Sequence, residues 1–385
     1  MKVKINLNQS LFDMSFIGWI VLYMFFVLST VADSLHNVLL IRNIVCIIAS
    51  LGALIVILNS DFRRRDFVLA GALIICGLLI MYNARSESAL MLFIFCIAAK
   101  SINFSITFRK LFRAMLVTCI LILGLALLGI IPNKSSFGAG FWNRRTYLGF
   151  GHPNYCGAVF LNLIFLRIFN AKGKFRVRDY LFILCIESLN LLGPKSKTSL
   201  GLGILAMLAM FFIENTNRRL IRKITSKIKY LPIFLIGVSL LFVVSYYSNS
   251  AWAVLLNALF SGRIDQAAYF WNHYEVTLFG QVLENVSSAK ATTLLQARML
   301  DNGYFYMLLG EGVVFTAIFV ALAVNATRRL LRYRQYRCIL ILAIMFLWGL
   351  MESALFRLEM NVALLLLAVG LYPNIKGWRS GNEKY

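Results

Sequence analysis

Arg144 and Arg145 lead through a glycine-rich turn to His152, with Pro153 and Asn154 directly after it, in the stretch FWNRRTYLGFGHPNYCG. Proline is at home in the first turn of a helix, where its missing N–H costs nothing, so a helix begins here with its partially positive end beside the arginines and the imidazole. Free backbone N–H groups, guanidinium and imidazole together make a cradle for phosphate. The competing use is that Arg144 and Arg145 touch lipid headgroups while His152 only caps the helix. A second stretch, GPKSKTSLGLG, sets Lys195 and Lys197 among Ser196, Thr198 and Ser199, which suit helix capping. An ordinary capped turn with two solvated lysines is the plain alternative. A third, SGRIDQAAYFWNHYEV, places Arg263 in the first turn of a helix that Ser261 is expected to cap, with Ala267, Phe270 and Tyr274 along one face. A guanidinium donates two parallel hydrogen bonds and so suits a diphosphate better than an ammonium group, unless it pairs with Asp265 or snorkels at an interface. A fourth, LDNGYFYMLLGEG, starts a helix at Asp301 and Asn302, both capping residues. Asp301 there stabilises the helix dipole or, near two arginines, serves as a general base. His273, among aromatics, is read as solvated rather than catalytic.

The elements that must hold these groups follow from composition. A chain of 385 residues, 60% hydrophobic and 14% charged, with mean hydropathy +0.77, is too apolar for a water-facing fold. The expectation is one integral membrane domain over residues 1–385: an all-α polytopic protein with about twelve transmembrane helices. Their centres are placed near Leu22, Ile48, Ile74, Phe95, Leu121, Leu161, Leu184, Leu205, Leu235, Val314, Met345 and Leu365. The run from Met14 to Val31 reads as a span rather than a cleavable leader. The net charge of +23 comes in short clumps of Lys and Arg between apolar runs, the pattern of the positive-inside rule, so no nucleic-acid partner is expected. Placing Lys2 and Lys4 in the cytoplasm puts the clusters at Arg63–Arg65, Lys100–Arg113, Lys172–Arg178, Arg218–Lys229 and Arg328–Arg337 there too. The tail, with Lys376, Arg379 and Lys384, joins them, so both termini are expected to be cytoplasmic.

Two substantial extracytoplasmic loops remain, at about 132–152 and 248–302. The second is too short for an independent core; short interfacial helices are expected, with Tyr269, Phe270, Trp271 and Tyr274 resting in the headgroup zone. Arg42, Arg85, Lys134, Arg144, Arg145, Lys195, Lys197, Arg263, Lys290, Arg298 and Arg357 fall outside, against the topology signal, and an anionic ligand is the obvious reason. Glu187, Glu311, Glu352 and Glu359, within or at the edges of spans, are functional candidates or partners of a buried cation such as Arg357. The seven cysteines read as small core residues. His36, His152 and His273 with scattered carboxylates make no metal motif, and Walker, Rossmann and nucleophile-elbow patterns are absent from the sequence, so neither metal nor cofactor is expected.

Taken in order, RRTYLGFGHPN, then KSKTS opening a span, then SGR beyond the next two spans, then a long outer loop closing with DNGYFYMLLGEG resemble the bacterial O-antigen and capsular polysaccharide polymerases (Wzy-like), relatives of the O-antigen ligases. The likeness covers roughly Asn143 to Val320 by motif and the whole chain by topology. It implies a glycosyltransferase of the GT-C type in the bacterial cytoplasmic membrane. Such an enzyme joins oligosaccharide repeat units carried on polyprenyl (undecaprenyl) diphosphate at the outer face, building a capsule, exopolysaccharide or O-antigen. Flippase and chain-length regulator proteins are the partners this implies. By the resemblance, Arg145 and Arg263 hold the donor diphosphate, with Arg144 beside them. Lys197 stands where many relatives have arginine. Asn154, Lys195 and Asn302 support the site. Ligases commonly show histidine before the Asn of the last motif, whereas here Asp301 precedes Asn302, which speaks against a ligase and leaves the base open between His152 and Asp301. The chemistry needs no metal: diphosphate is a good leaving group whose growing charge arginines and helix ends can stabilise, and single displacement inverts the anomeric carbon. The alternatives are a ligase moving a finished glycan to another acceptor, and a flippase or transporter. Transporters are commonly built from related halves with a mid-membrane site, whereas here the cations collect outside and the halves do not match.

Overall fold

The computed structural model describes residues 7–137, 144–286 and 298–372. Lys2, Lys4, Lys290, Lys376, Arg379 and Lys384, and with them both termini, lie outside the described residues. Among the described residues, seven of the expected spans are helices long and apolar enough to cross a membrane: Leu7–Leu28, Val38–Leu58, Arg64–Ala84, Phe104–Leu127, Lys197–Asn215, Arg218–Tyr247 and Gly303–Arg332. The chain is a multi-pass membrane protein. Its helices, in order, are α1 (Leu7–Tyr23), α2 (Val38–Leu58), α3 (Arg64–Ala84), α4 (Ser88–Ala98), α5 (Phe104–Leu127), α6 (Pro153–Asn170), α7 (Val177–Leu192) and α8 (Lys197–Asn215). They continue with α9 (Arg218–Thr225), α10 (Leu231–Tyr247), α11 (Ala251–Leu259), α12 (Arg263–His273), α13 (Gly303–Tyr306), α14 (Gly312–Arg332), α15 (Tyr336–Trp348) and α16 (Ala368–Leu371).

The short α4 is buried along its whole length, as is the 3-10 segment Val362–Leu367, and α15 nearly so. The longer α2 and α3 turn Leu39, Ile47, Leu51, Phe67 and Ile75 outward. A segment surrounded by protein can be short or irregular because its neighbours supply both packing and partners, whereas a lipid-facing one must satisfy its own backbone over the full hydrocarbon thickness. Asn162 illustrates this: its Nδ2 donates to the Met360 carbonyl at 2.6 Å and its Oδ1 accepts from the Val362 N–H at 3.1 Å, tying α6 to the 3-10 segment. Cys46, Cys96, Cys119, Cys156 and Cys338 are buried, as expected of core residues, whereas Cys185 is exposed on α7.

The first expected outer loop contains a feature the helical reading did not anticipate. Strands β1 (Ser135–Phe137) and β2 (Arg144–Thr146) pair antiparallel, with Ser136 opposite Arg145. In the second loop α11 and α12 are the expected short helices, but the aromatics do not simply rest at an interface. Phe270 is fully buried with Val243, Ala267, Leu283, Leu300, Phe305 and Leu309, and Trp271 packs its edge on Phe305. This small second core seats the loop on α10 and α13. The extended stretch after α12 is pinned beside it, because the π-helical turn Met307–Glu311 frees carbonyls from the ordinary ladder and the Gly310 oxygen accepts from the Gln281 N–H at 3.0 Å. Gly280 allows this approach: it adopts φ +81°, and a Cβ there would sit 2.1 Å from the Gly310 oxygen. Gly280→Ala is expected to destabilise the protein by more than about 1 kcal/mol. A thermal midpoint in detergent equal to that of the unsubstituted protein would contradict this docking.

Candidate functional site

Four helix amino ends and one turn meet at a single end of the bundle. The α6 end begins at His152, whose Nδ1 accepts the Asn154 N–H at 3.2 Å, with Pro153 in the first turn as its fixed φ favours. The preceding turn is held by the segment that follows α1: Thr30 Oγ1 donates to the Pro132 and Gly149 carbonyls at 2.7 and 3.1 Å, and the Gly151 N–H donates to the Leu28 carbonyl at 2.8 Å. Strand β2 docks beside it through the Thr146 N–H, which donates to the Gly193 carbonyl at 3.1 Å. Alternation along a strand sends neighbouring side chains to opposite sides, and accordingly Arg144 is exposed while Arg145 is partly buried. Gly157 lets α8 come close, since a Cβ there would meet the Ser196 and Ser199 hydroxyls at 2.6 Å.

Arg263 is the hub. Its Nε donates to Asp301 Oδ2 at 3.1 Å, its Nη1 to Thr198 Oγ1 at 3.3 Å, and its Nη2 to Glu352 Oε1 at 2.8 Å. Asn154 Nδ2 donates to the same Glu352 oxygen at 3.0 Å, joining the α6 end to the arginine. Asn302 caps α13, accepting from the Tyr304 and Phe305 N–H groups at 3.0 Å, while its Nδ2 donates to Ser239 Oγ and to the Leu350 carbonyl. The Gly303 N–H donates to the Gly349 carbonyl at 2.8 Å, so the start of α13 clamps the turn that presents Glu352. No family model, no curated protein and no solved structure matches the chain. The chemistry of the site therefore rests on its own groups.

The charges of Arg145 and Arg263 both act on His152, which places the three side chains in one neighbourhood. The imidazole is exposed at the mouth of the site, yet crowding by protein and then the positive fields of Arg145 and Arg263 push it down to about 4. It is neutral at pH 7. Because Nδ1 already accepts a backbone N–H, the neutral ring carries its proton on Nε2 and offers that group as a donor. Arg145 has a buried Nε with no hydrogen-bond partner among the described residues. A buried guanidinium N–H left unpaired costs free energy, which an anionic acceptor would return. Burial pushes both carboxylates up, Asp301 against the pull of Arg263, and Glu352 to about 7 with help from the Asp301 charge.

A depressed histidine stabilises the fold above its unfolded value, near 6.5, and this contribution is lost as pH falls from there through about 4. An anion seated between the arginines would favour the imidazolium. The His152 ring resonance is expected to titrate near 4 alone and higher with inorganic diphosphate; a titration near 6.5 that diphosphate leaves unmoved would contradict the shared neighbourhood.

Other sequence expectations fare differently. Ser261 does not cap α12: Ser261 and Gly262 form a left-handed turn at φ +56° and +82°, Gly262 holds the cap position, and Asn257 Oδ1 supplies the acceptor instead, taking the Asp265 N–H at 2.9 Å. Ser196 occupies the cap position of α8 without a capping hydroxyl bond, and Thr198 accepts from Arg263 rather than capping. Asp265 pairs with Arg298 at 3.0 Å, not with Arg263. Lys197 is exposed at the first residue of α8, and Lys195 sits in the preceding turn with φ +48°. Several of the cations expected outside have carboxylate partners: Arg42 with Glu87, Lys134 with Asp33, and Arg357 with Glu359. Glu311 accepts from Ser86 Oγ, and Glu187 lies beside Asn190. His273 stacks on Tyr269 beside a cleft of about 460 Å³ lined by Trp271, Asn272, Tyr274 and Glu275, at the other end of α12 from Arg263. Glu352 and Thr198 are the site residues whose partners sequence reasoning missed. Glu352 stood out only as a carboxylate at the edge of a span, and Thr198 only as a hydroxyl at a helix start.

Proposed function

We propose that the protein is a membrane glycosyltransferase, a Wzy-like polymerase, which joins oligosaccharide units from polyprenyl diphosphate into a cell-surface polysaccharide. The observation that carries this reading is the company of Arg145, with its unpartnered buried Nε, beside His152 and Arg263 at the amino end of α6. In this reading the shorter helices also count as crossings, giving about twelve spans of GT-C type with the site at the outer face. Arg145, Arg263 and the Nε2–H of His152 hold the diphosphate, aided by the amino end of α6. Arg144 and Lys197 stand at its solvent side and attract the anionic donor. Asn154, Lys195 and Asn302 shape the turns that carry these groups. With His152 used as a donor, the acceptor hydroxyl loses its proton to a carboxylate beside Arg263, Asp301 or Glu352.

The test is purified protein in detergent with a lipid-linked oligosaccharide donor. Chain growth in step with released polyprenyl diphosphate is expected. Transfer of finished glycan only to a different acceptor would make the protein a ligase. Movement across liposomes without new glycosidic bonds would make it a carrier.

A further inference from the structure

Arg263 presents two edges. Its Nε, toward its own chain stem, is held by Asp301, while its two terminal nitrogens, the pair a phosphate would grip bidentately, are engaged by Thr198 and Glu352. An anion arriving from the mouth of the site must compete for the terminal pair and leaves the Nε bond intact. Asp301 then remains an anchor that orients the guanidinium, and Glu352 is the carboxylate set loose. Its Oε1 is not lost from the site, because the Asn154 amide still donates to the same oxygen at 3.0 Å and the turn behind it is fixed by the Glu352 N–H, which donates to the Trp348 carbonyl at 3.0 Å.

We propose that Glu352 latches Arg263 until the donor diphosphate takes its place, and that the released carboxylate is the catalytic base for the acceptor hydroxyl. This rests on the glycosyltransferase reading above and adds an order of events: donor first, base second. In the step itself the acceptor O–H bond breaks and its proton passes to Glu352, while the acceptor oxygen bonds to the anomeric carbon. The bond from that carbon to the phosphate oxygen breaks, and its electron pair leaves with the diphosphate, whose added charge Arg145 and Arg263 meet. Glu352 later gives the proton to water. A carboxyl group whose burial raises it to about 7 is suited to this exchange at neutral pH. The charged and titratable groups that act on it are Arg263 and Asp301. Losing Arg263 to the diphosphate makes Glu352 a stronger base at the moment when a base is needed.

The latch has an unusual signature, because the same substitution should help one step and stop another. Glu352→Gln removes an anion that competes for Arg263, so a short-chain polyprenyl diphosphate is expected to bind about tenfold tighter or more. It also removes the proton acceptor, so turnover is expected to fall by about 10²- to 10⁴-fold. Glu352→Asp, which keeps the charge on a shorter arm, should bind the probe as the unsubstituted protein does and lose part of its turnover. It carries the test if the glutamine variant fails to fold. A merely structural role would weaken binding and turnover together, and that result overturns the proposal, as does Glu352→Gln turning over within about threefold of the unsubstituted protein. If the unsubstituted protein neither binds the probe nor elongates a chain, the glycosyltransferase reading fails, and the latch with it. If it does both while Glu352→Gln binds more weakly, only the latch fails.

Discussion

Arg263→Lys is expected to lower turnover by about 10²- to 10³-fold in a protein that still inserts and keeps its thermal midpoint within a few degrees. The charge survives the substitution, but the geometry does not. Arg263 reaches Asp301, Thr198 and Glu352 with three different nitrogens held in one plane, at 3.1, 3.3 and 2.8 Å. A lysine ammonium is a single point on a flexible stem, so it can sit with the carboxylates yet cannot keep the anchored edge while offering two parallel donors to a phosphate. Its side chain is only 18% exposed, so water cannot easily take over the lost bonds. The measurement is chain elongation by matched amounts of the two proteins in detergent. Activity within about threefold would show that charge alone suffices there, and the fork would have no role.

Arg145→Lys is expected to act for a different reason. Arg145 brings to the site a buried Nε with no partner among the described residues, a donor that lysine lacks altogether. If a phosphate oxygen is its partner, the substitution should weaken short-chain polyprenyl diphosphate binding by about tenfold or more, consistent with losing one charge-assisted hydrogen bond of roughly 1.5–3 kcal/mol. Arg144→Lys, one residue away on the exposed side of β2, serves as the control and should change binding little. Arg145→Ala separates charge from hydrogen bonding, because removing the cation relieves His152 and its titration should move up from about 4. Equal binding by Arg145→Lys and the unsubstituted protein would mean that the unpaired Nε is structural strain and not a ligand contact.

What was legible in the sequence was local. His152 before Pro153, and Asn302 before Gly303, announce helix starts because capping and proline geometry act over three or four residues. The membrane habit follows from apolar runs and clumped cations for the same reason. Arg145 and Arg263 stood out because they fall in loops expected on the translocated side, where basic residues are scarce. What was not legible depends on tertiary approach. Glu352 reaches Arg263 across 89 residues of chain, and nothing around it in sequence marks that partnership. Phe270 looked like an interfacial aromatic because periodicity does not reveal that Leu283, Leu300 and Phe305 return to cover it. The side-chain acceptor at the start of α12 comes from Asn257 on the preceding helix, so inspecting the residue directly before Arg263 misses it. The π-helical turns Met24–Leu28 and Met307–Glu311 leave no pattern in a hydropathy run, although the second creates the carbonyl that docks the large loop.

In the glycosyltransferase reading, guanidinium groups from two distant stretches share one anion with His152. A structure of the protein in lipid nanodiscs with a non-hydrolysable polyprenyl diphosphate donor tests it most directly. The diphosphate is expected between Arg145, His152 and Arg263, with Asp301 still on the Arg263 Nε and Glu352 no longer on its terminal nitrogen. Lipid diphosphate bound elsewhere, with Arg263 still closed on both carboxylates, would contradict it.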